Sequence, residues 1–81
     1  MKIKLQGSQS DLTAASTVGR AGLVRVYNST AGDLLLTQKD GSDVVGTMTV
    51  KSKDVEFVSK LPAQTLEGGV GLKVVSVAYF N

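Results

Sequence analysis

From Leu23 to Phe80 short apolar runs follow one another, each alternating with polar positions and each closed by a small polar turn. Leu23 to Asn28 (LVRVYN) is rich in β-branched and aromatic residues, with Val24 and Val26 on one face and Arg25 and Tyr27 on the other. After the turn Ser29-Thr30-Ala31-Gly32-Asp33, Leu34 to Lys39 predicts a strand with Leu34 and Leu36 on one face and Leu35 and Thr37 opposite. Asp40-Gly41-Ser42 closes it, because Asp and Gly tolerate the positive φ of tight turns. Gly46 to Lys51 (GTMTVK) places Met48 and Val50 inward and Thr47 and Thr49 outward; Val55 and Phe57 repeat the device, with Glu56 and Val58 opposite. Pro62 breaks regular pairing, Thr65-Leu66-Glu67 reads as a short edge piece, and Gly68-Gly69 as a turn.

The last run, Leu72 to Phe80 (LKVVSVAYF), suits burial on both faces: Leu72, Val74 and Ala78 on one, Val75, Val77 and Tyr79 on the other. It predicts a central strand, or a terminal strand whose second face is covered by another subunit. At the start, Ile3 and Leu5 alternate with Lys2, Lys4 and Gln6 as a short strand. From Gly7 to Gly22 the chain turns small and polar, with Leu12 and Val18 as its sizeable apolar anchors, and reads as an arm or long loop. Strands at intervals of about ten residues predict an all-β fold, a small antiparallel β-sandwich or barrel. Residues 1–22 then form an N-terminal strand and extended arm, and residues 23–81 the β-sandwich domain.

Length and composition narrow the classes of function. A chain of 81 residues buries only roughly 60 to 65% of its unfolded surface, which gives one thin core. Nine basic against seven acidic residues leave a net charge of +2, with the bases spread along the chain, and four aromatic residues offer few stacking platforms. That balance calls for no nucleic-acid partner. The absence of cysteine excludes disulfides and thiolate metal sites. The N-terminus lacks the apolar core of a signal peptide, and no run has the about 18 apolar residues of a membrane span, so synthesis in a cytoplasm without membrane attachment is expected.

Candidate chemistry is sparse. Without histidine or cysteine the common nucleophile and base pairs are missing. Asp33, Asp40, Asp43 and Asp54 fall at or near predicted turns, where aspartate bonds nearby backbone amides. The spacing of Asp40 and Asp43 lacks the further oxygen ligands of a calcium loop, and Glu67-Gly68-Gly69-Val70-Gly71 lacks the Lys-Ser/Thr ending of a phosphate loop. Neither a catalytic residue, a cofactor nor a metal is expected. Asn28-Ser29-Thr30 matches a glycosylation sequon, without a secretory signal to give it weight. Lys51, Lys53, Lys60 and Pro62 read as guards of one sheet edge, whereas the apolar ends of the chain are less guarded, which favours assembly with copies of itself or with a partner.

The segments Leu23-Val24-Arg25-Val26-Tyr27-Asn28, Gly32-Asp33-Leu34-Leu35-Leu36-Thr37, Val55-Glu56-Phe57-Val58-Ser59-Lys60 and Thr65-Leu66-Glu67-Gly68, leading to Val74-Val75-Ser76-Val77-Ala78-Tyr79, carry a family likeness in their order. Residues 23–80 resemble small virion structural proteins of tailed bacteriophages, particularly those infecting marine bacteria such as cyanobacteria. The resemblance rests on strand pattern and turn residues and excludes the arm. It implies a copy-rich, non-enzymatic β-domain of the virion, often a trimer or other oligomer. Such a domain binds other virion proteins: as a decoration or cement protein on the major capsid protein, or as an accessory of neck, tail or fibre. On this reading the arm, through Leu12 and Val18, clasps an adjacent subunit, and the face formed by Val75, Val77 and Tyr79 is buried between copies. A free protein- or carbohydrate-binding module and a nucleic-acid-binding barrel are the competing classes.

Overall fold

The computed structural model describes residues 2–80 and shows two antiparallel sheets packed into a sandwich. Eight strands follow in chain order: β1 (Lys2–Leu5), β2 (Ser10–Asp11), β3 (Leu23–Asn28), β4 (Leu34–Asp40), β5 (Asp43–Val50), β6 (Val55–Ser59), β7 (Thr65–Glu67) and β8 (Leu72–Phe80). The larger sheet has the order β1-β8-β3-β6, with β2 also on β8; the smaller has the order β5-β4-β7. The final strand is therefore central, as one of its two expected placements required.

Alternation decides which side chains meet between the sheets. Val24 and Val26 of β3 and Leu72 and Val74 of β8 point inward from the larger sheet; Leu36, Val50 and Leu66 meet them from the smaller one. On the opposite face of the larger sheet, Leu23, Val75 and Val77 form a second buried cluster against which Ile3 packs. The expected inward placement of Val55 and Phe57 is corrected. Arg25 pairs with Phe57 and Val24 with Val58, so the register with β3 turns Phe57 outward and brings Val58 against the core. With apolar residues on both faces of β6, its phase is set by its neighbour rather than by its own pattern.

The segment expected as an arm or long loop packs on its own domain. After β1 pairs with the end of β8, Gln6 N–H donates to the Ser76 carbonyl, and Ser10 and Asp11 rejoin β8 opposite Val74 and Lys73. Leu12 N–H donates to the Leu72 carbonyl, and Ser16 then bridges to Leu66 of β7 in the other sheet. Residues 2–16 thus close one side of the sandwich and carry Leu12 into the core. The turn that follows holds Val18, Gly19 and Arg20 at φ 51°, 65° and 57°, a left-handed stretch that costs energy at the two non-glycine positions.

The opposite side stays open. The β4–β5 hairpin turns through Gly41, whose φ of 64° fits the first central position of a two-residue hairpin turn. A bulge near Val44–Val45 shifts the register between Gln38 and Lys39. The short link from Val50 to Val55 crosses to the other sheet, so β5 and β6 are, among the described residues, the two free edges on this side.

Candidate interaction surface

Asn28, at the end of β3, is a fully enclosed polar group. Its Nδ2 donates to the carbonyls of Gly32 and Val50, each at 2.8 Å, and its Oδ1 accepts from Thr30 N–H at 2.9 Å. The side chain therefore ties β3 to the base of β5 and to the intervening loop, with its hydrogen-bonding capacity satisfied. Nothing in the alternating pattern marks it; the Asn-Ser-Thr order ahead of a turn is the local signal, because an asparagine side chain bonds backbone two residues on. With no exposure, its amide is inaccessible to glycosylation in the folded chain.

Four of the five residues expected at an interface are used by the chain itself. Leu12 and Val18 join the core between the sheets at 1% and 8% exposure, and Val75 and Val77 lie in the second cluster at 4% and 2%. Burial within one chain removes these four side chains from the surface, because the arm is stitched to its own β8 and β7 by backbone hydrogen bonds. The side chain of Tyr79 lies outside the described residues; its backbone pairs with Ile3.

The apolar surface left in water lies elsewhere. Leu35, Val44 and Val45 of the β4–β5 hairpin are 57%, 58% and 54% exposed, and β5 is solvated along nearly its whole length. Beneath the hairpin an apolar cavity of about 170 Å³ opens between the sheets, lined by Leu36, Gln38, Gly46, Met48, Val58 and Leu66. Glycine at position 46 leaves this wall bare: a Cβ there meets nothing within 4 Å.

The expected edge guards stand apart from β5. Lys60 is buried, its Nζ directed at the carbonyls of Leu61 and Pro62, and burial together with the nearby Arg20 charge lowers its pKa from the ordinary lysine value. Lys53 sits in the link after β5 with φ 61°, donating to the Ser29 carbonyl. Among the described residues two ion pairs, Lys39–Glu67 and Lys73–Asp11, connect strands that are already paired. Among the described residues no group of three or more acidic or metal-ligating side chains converges on one point. What the open side offers is an apolar, backbone-rich surface.

No family model, no curated protein and no solved structure matches this chain.

Proposed function

We propose that this chain is a non-enzymatic structural protein of a virion, a decoration or cement protein that self-associates and binds the major capsid protein. The observation that carries the assembly role is the β4–β5 hairpin, which holds Leu35, Val44 and Val45 in water beside an unpaired strand edge. Apolar side chains collected on one edge mark a surface made to be covered. The virion setting is supported by the resemblance of residues 23–80 to small phage structural proteins.

A co-sedimentation experiment tests the reading: purified protein is mixed with expanded capsids of a marine tailed phage or, separately, with its tails. Saturable binding to capsids at a fixed copy number is expected. Binding to tails alone would move the chain to the neck, tail or fibre. Binding to neither, with an affinity for nucleic acid that falls steeply with salt, would overturn the proposal in favour of a nucleic-acid-binding barrel.

A further inference from the structure

The alternation that sends Val24 and Val26 into the core turns Leu23, Arg25 and Tyr27 to the outer face of the larger sheet. Strand pairing sets Arg25 directly between Phe57 of β6 and Val75 of β8, and Leu5 beside Val77 farther along the same face. Arg25 is half-buried, and its guanidinium carbon lies 5.9 Å from the centre of the Tyr27 ring, within the range of a cation–π contact. Among the described residues no carboxylate pairs with it; Asp11, on the same face, is held by Lys73. Arg25 is therefore a partly desolvated cation in a largely apolar surface, where a charge-assisted hydrogen bond from outside counts for more than in open water.

The matching charge stands on the other sheet. Across the β4–β5 turn Asp40 pairs with Asp43, so two exposed carboxylates point to the same side of the hairpin. Like charges directly opposed destabilise a hairpin, and among the described residues neither carboxylate takes part in an ion pair. Their Cβ atoms stand about 4.5–5.5 Å apart in such a pairing, and a planar guanidinium with its five N–H donors can bridge them. The imbalance extends to the whole sheets. The strands of the larger carry Lys2, Lys4, Arg25 and Lys73 against Asp11 and Glu56, and those of the smaller Lys39 against Asp40, Asp43 and Glu67. Sheets of opposite net charge draw copies together head to tail.

We propose that the β4–β5 turn of one copy docks on the outer face of the larger sheet of a second copy, its Asp40 and Asp43 clamping the second copy's Arg25. Between the two carboxylates the turn holds only Gly41 and Ser42, both small and exposed, so it can come close to a sheet. Phe57, Tyr27 and the stem of Arg25 itself then shield the ion cluster from water, as apolar surroundings do at the centre of an interface. The docking face points away from the smaller sheet, which packs about 10 Å behind it, so a copy that offers its turn to a neighbour turns its own face away from that neighbour. The contact is heterologous and makes rings of three or more copies, not two-fold dimers.

The inference deepens the self-association of the proposed function and rests on that part of it, not on the virion setting. Its test uses the full chain and positions outside both buried clusters. Asp40→Asn/Asp43→Asn removes the repulsion within the hairpin together with the clamp between copies. It is expected to leave the monomer at least as resistant to urea while weakening association by about tenfold or more. Arg25→Glu is expected to weaken association as much, and Asp40→Lys/Asp43→Lys added to Arg25→Glu to restore it. Arg25→Lys keeps the charge and permits a crosslink. In an equal mixture of isotope-labelled and unlabelled chains, a carbodiimide is expected to join the introduced amine to Asp40 or Asp43 in peptide pairs of mixed isotope, which only contact between copies makes.

Association unchanged in both Asp40→Asn/Asp43→Asn and Arg25→Glu overturns the contact, as does a wild-type mass that stops at the dimer. Loss in Arg25→Glu with the hairpin variant unchanged gives the face an occupant other than a second copy's turn, and overturns the inference as well. Where Arg25→Glu fails to fold, the crosslink decides: peptide pairs of mixed isotope support the contact and their absence rejects it. A ring that binds no virion particle overturns the virion reading and leaves this inference standing.

Discussion

Replacing Asn28 by aspartate changes one atom and should remove much of the stability of the molecule. The amide nitrogen donates to the Gly32 and Val50 carbonyls inside the protein, and a carboxylate oxygen in its place faces those two oxygens with no proton to offer. Each lost bond leaves a carbonyl without its partner, at about 1–3 kcal/mol apiece, so the variant is expected to lose on the order of 2–6 kcal/mol at neutral pH. A chain of this size holds roughly 4–12 kcal/mol in all, so much of the population should unfold. In melting temperature the change amounts to on the order of 15–30 °C.

The pH dependence adds an independent check on Asn28→Asp. Burial against two carbonyls raises the folded pKa of the introduced acid above its unfolded value of about 3.9. The variant's deficit is then smaller below that unfolded value, where the single proton of the carboxyl restores one of the two bonds, and grows as pH rises towards the raised folded one. Urea and thermal unfolding followed by far-ultraviolet circular dichroism, at neutral and acid pH, measure both effects. A variant within about 0.5 kcal/mol of the parent at neutral pH, the range of ordinary surface changes, would refute the reasoning, as would a deficit that does not shrink on acidification.

Leu12→Ala is expected to cost about 2–5 kcal/mol in unfolding of the isolated chain, because Leu12 fills the core between the sheets; a change in oligomer size at unchanged stability would instead return the arm to a neighbouring subunit. Arg20→Gly should stabilise by about 0.5–1 kcal/mol, since relief of a left-handed backbone exceeds the added freedom of the unfolded chain; a lower denaturant midpoint would contradict the strain. Lys60 has a lowered folded pKa, so the parent's stability should rise as pH climbs from that value to the ordinary lysine value, and Lys60→Met should lack this rise. The difference between parent and variant unfolding curves across that window reads it, and a constant difference would exclude the effect.

The sandwich was legible where β-branched runs were long and bounded by clear turns. LVRVYN and LKVVSVAYF specified β3 and β8 and the inward-facing Val24, Val26, Leu72 and Val74. In β6, Val55, Phe57 and Val58 put apolar side chains on both faces, and only pairing with β3 chose between them. Where the segment after β1 attaches was illegible for another reason. Its attachment to β8 and β7 is made by backbone groups of Ser10, Asp11 and Ser16, which leave no hydrophobic period, so Leu12 looked like an isolated anchor available to a neighbour.

The interaction surface was legible only in part. GTMTVK identified a strand, with Val50 inward and Thr47 and Thr49 outward, but sequence pattern does not tell an edge strand from a central one. Lys51 and Lys53 looked like guards of an edge, yet they stand past the end of β5, and Lys60 is turned inward beneath its own loop. The exposure of Val44 and Val45 follows from their place at the bulge of an edge strand, which among the described residues pairs with β4 alone.

Self-association through the β4–β5 hairpin is the claim on which the account turns, and the molar mass of the purified wild-type chain over a concentration series tests it most directly. Sedimentation equilibrium should show the mass climbing with concentration from 8.4 kDa to a fixed multiple of that value. A chain that stays at 8.4 kDa up to its solubility limit would contradict it.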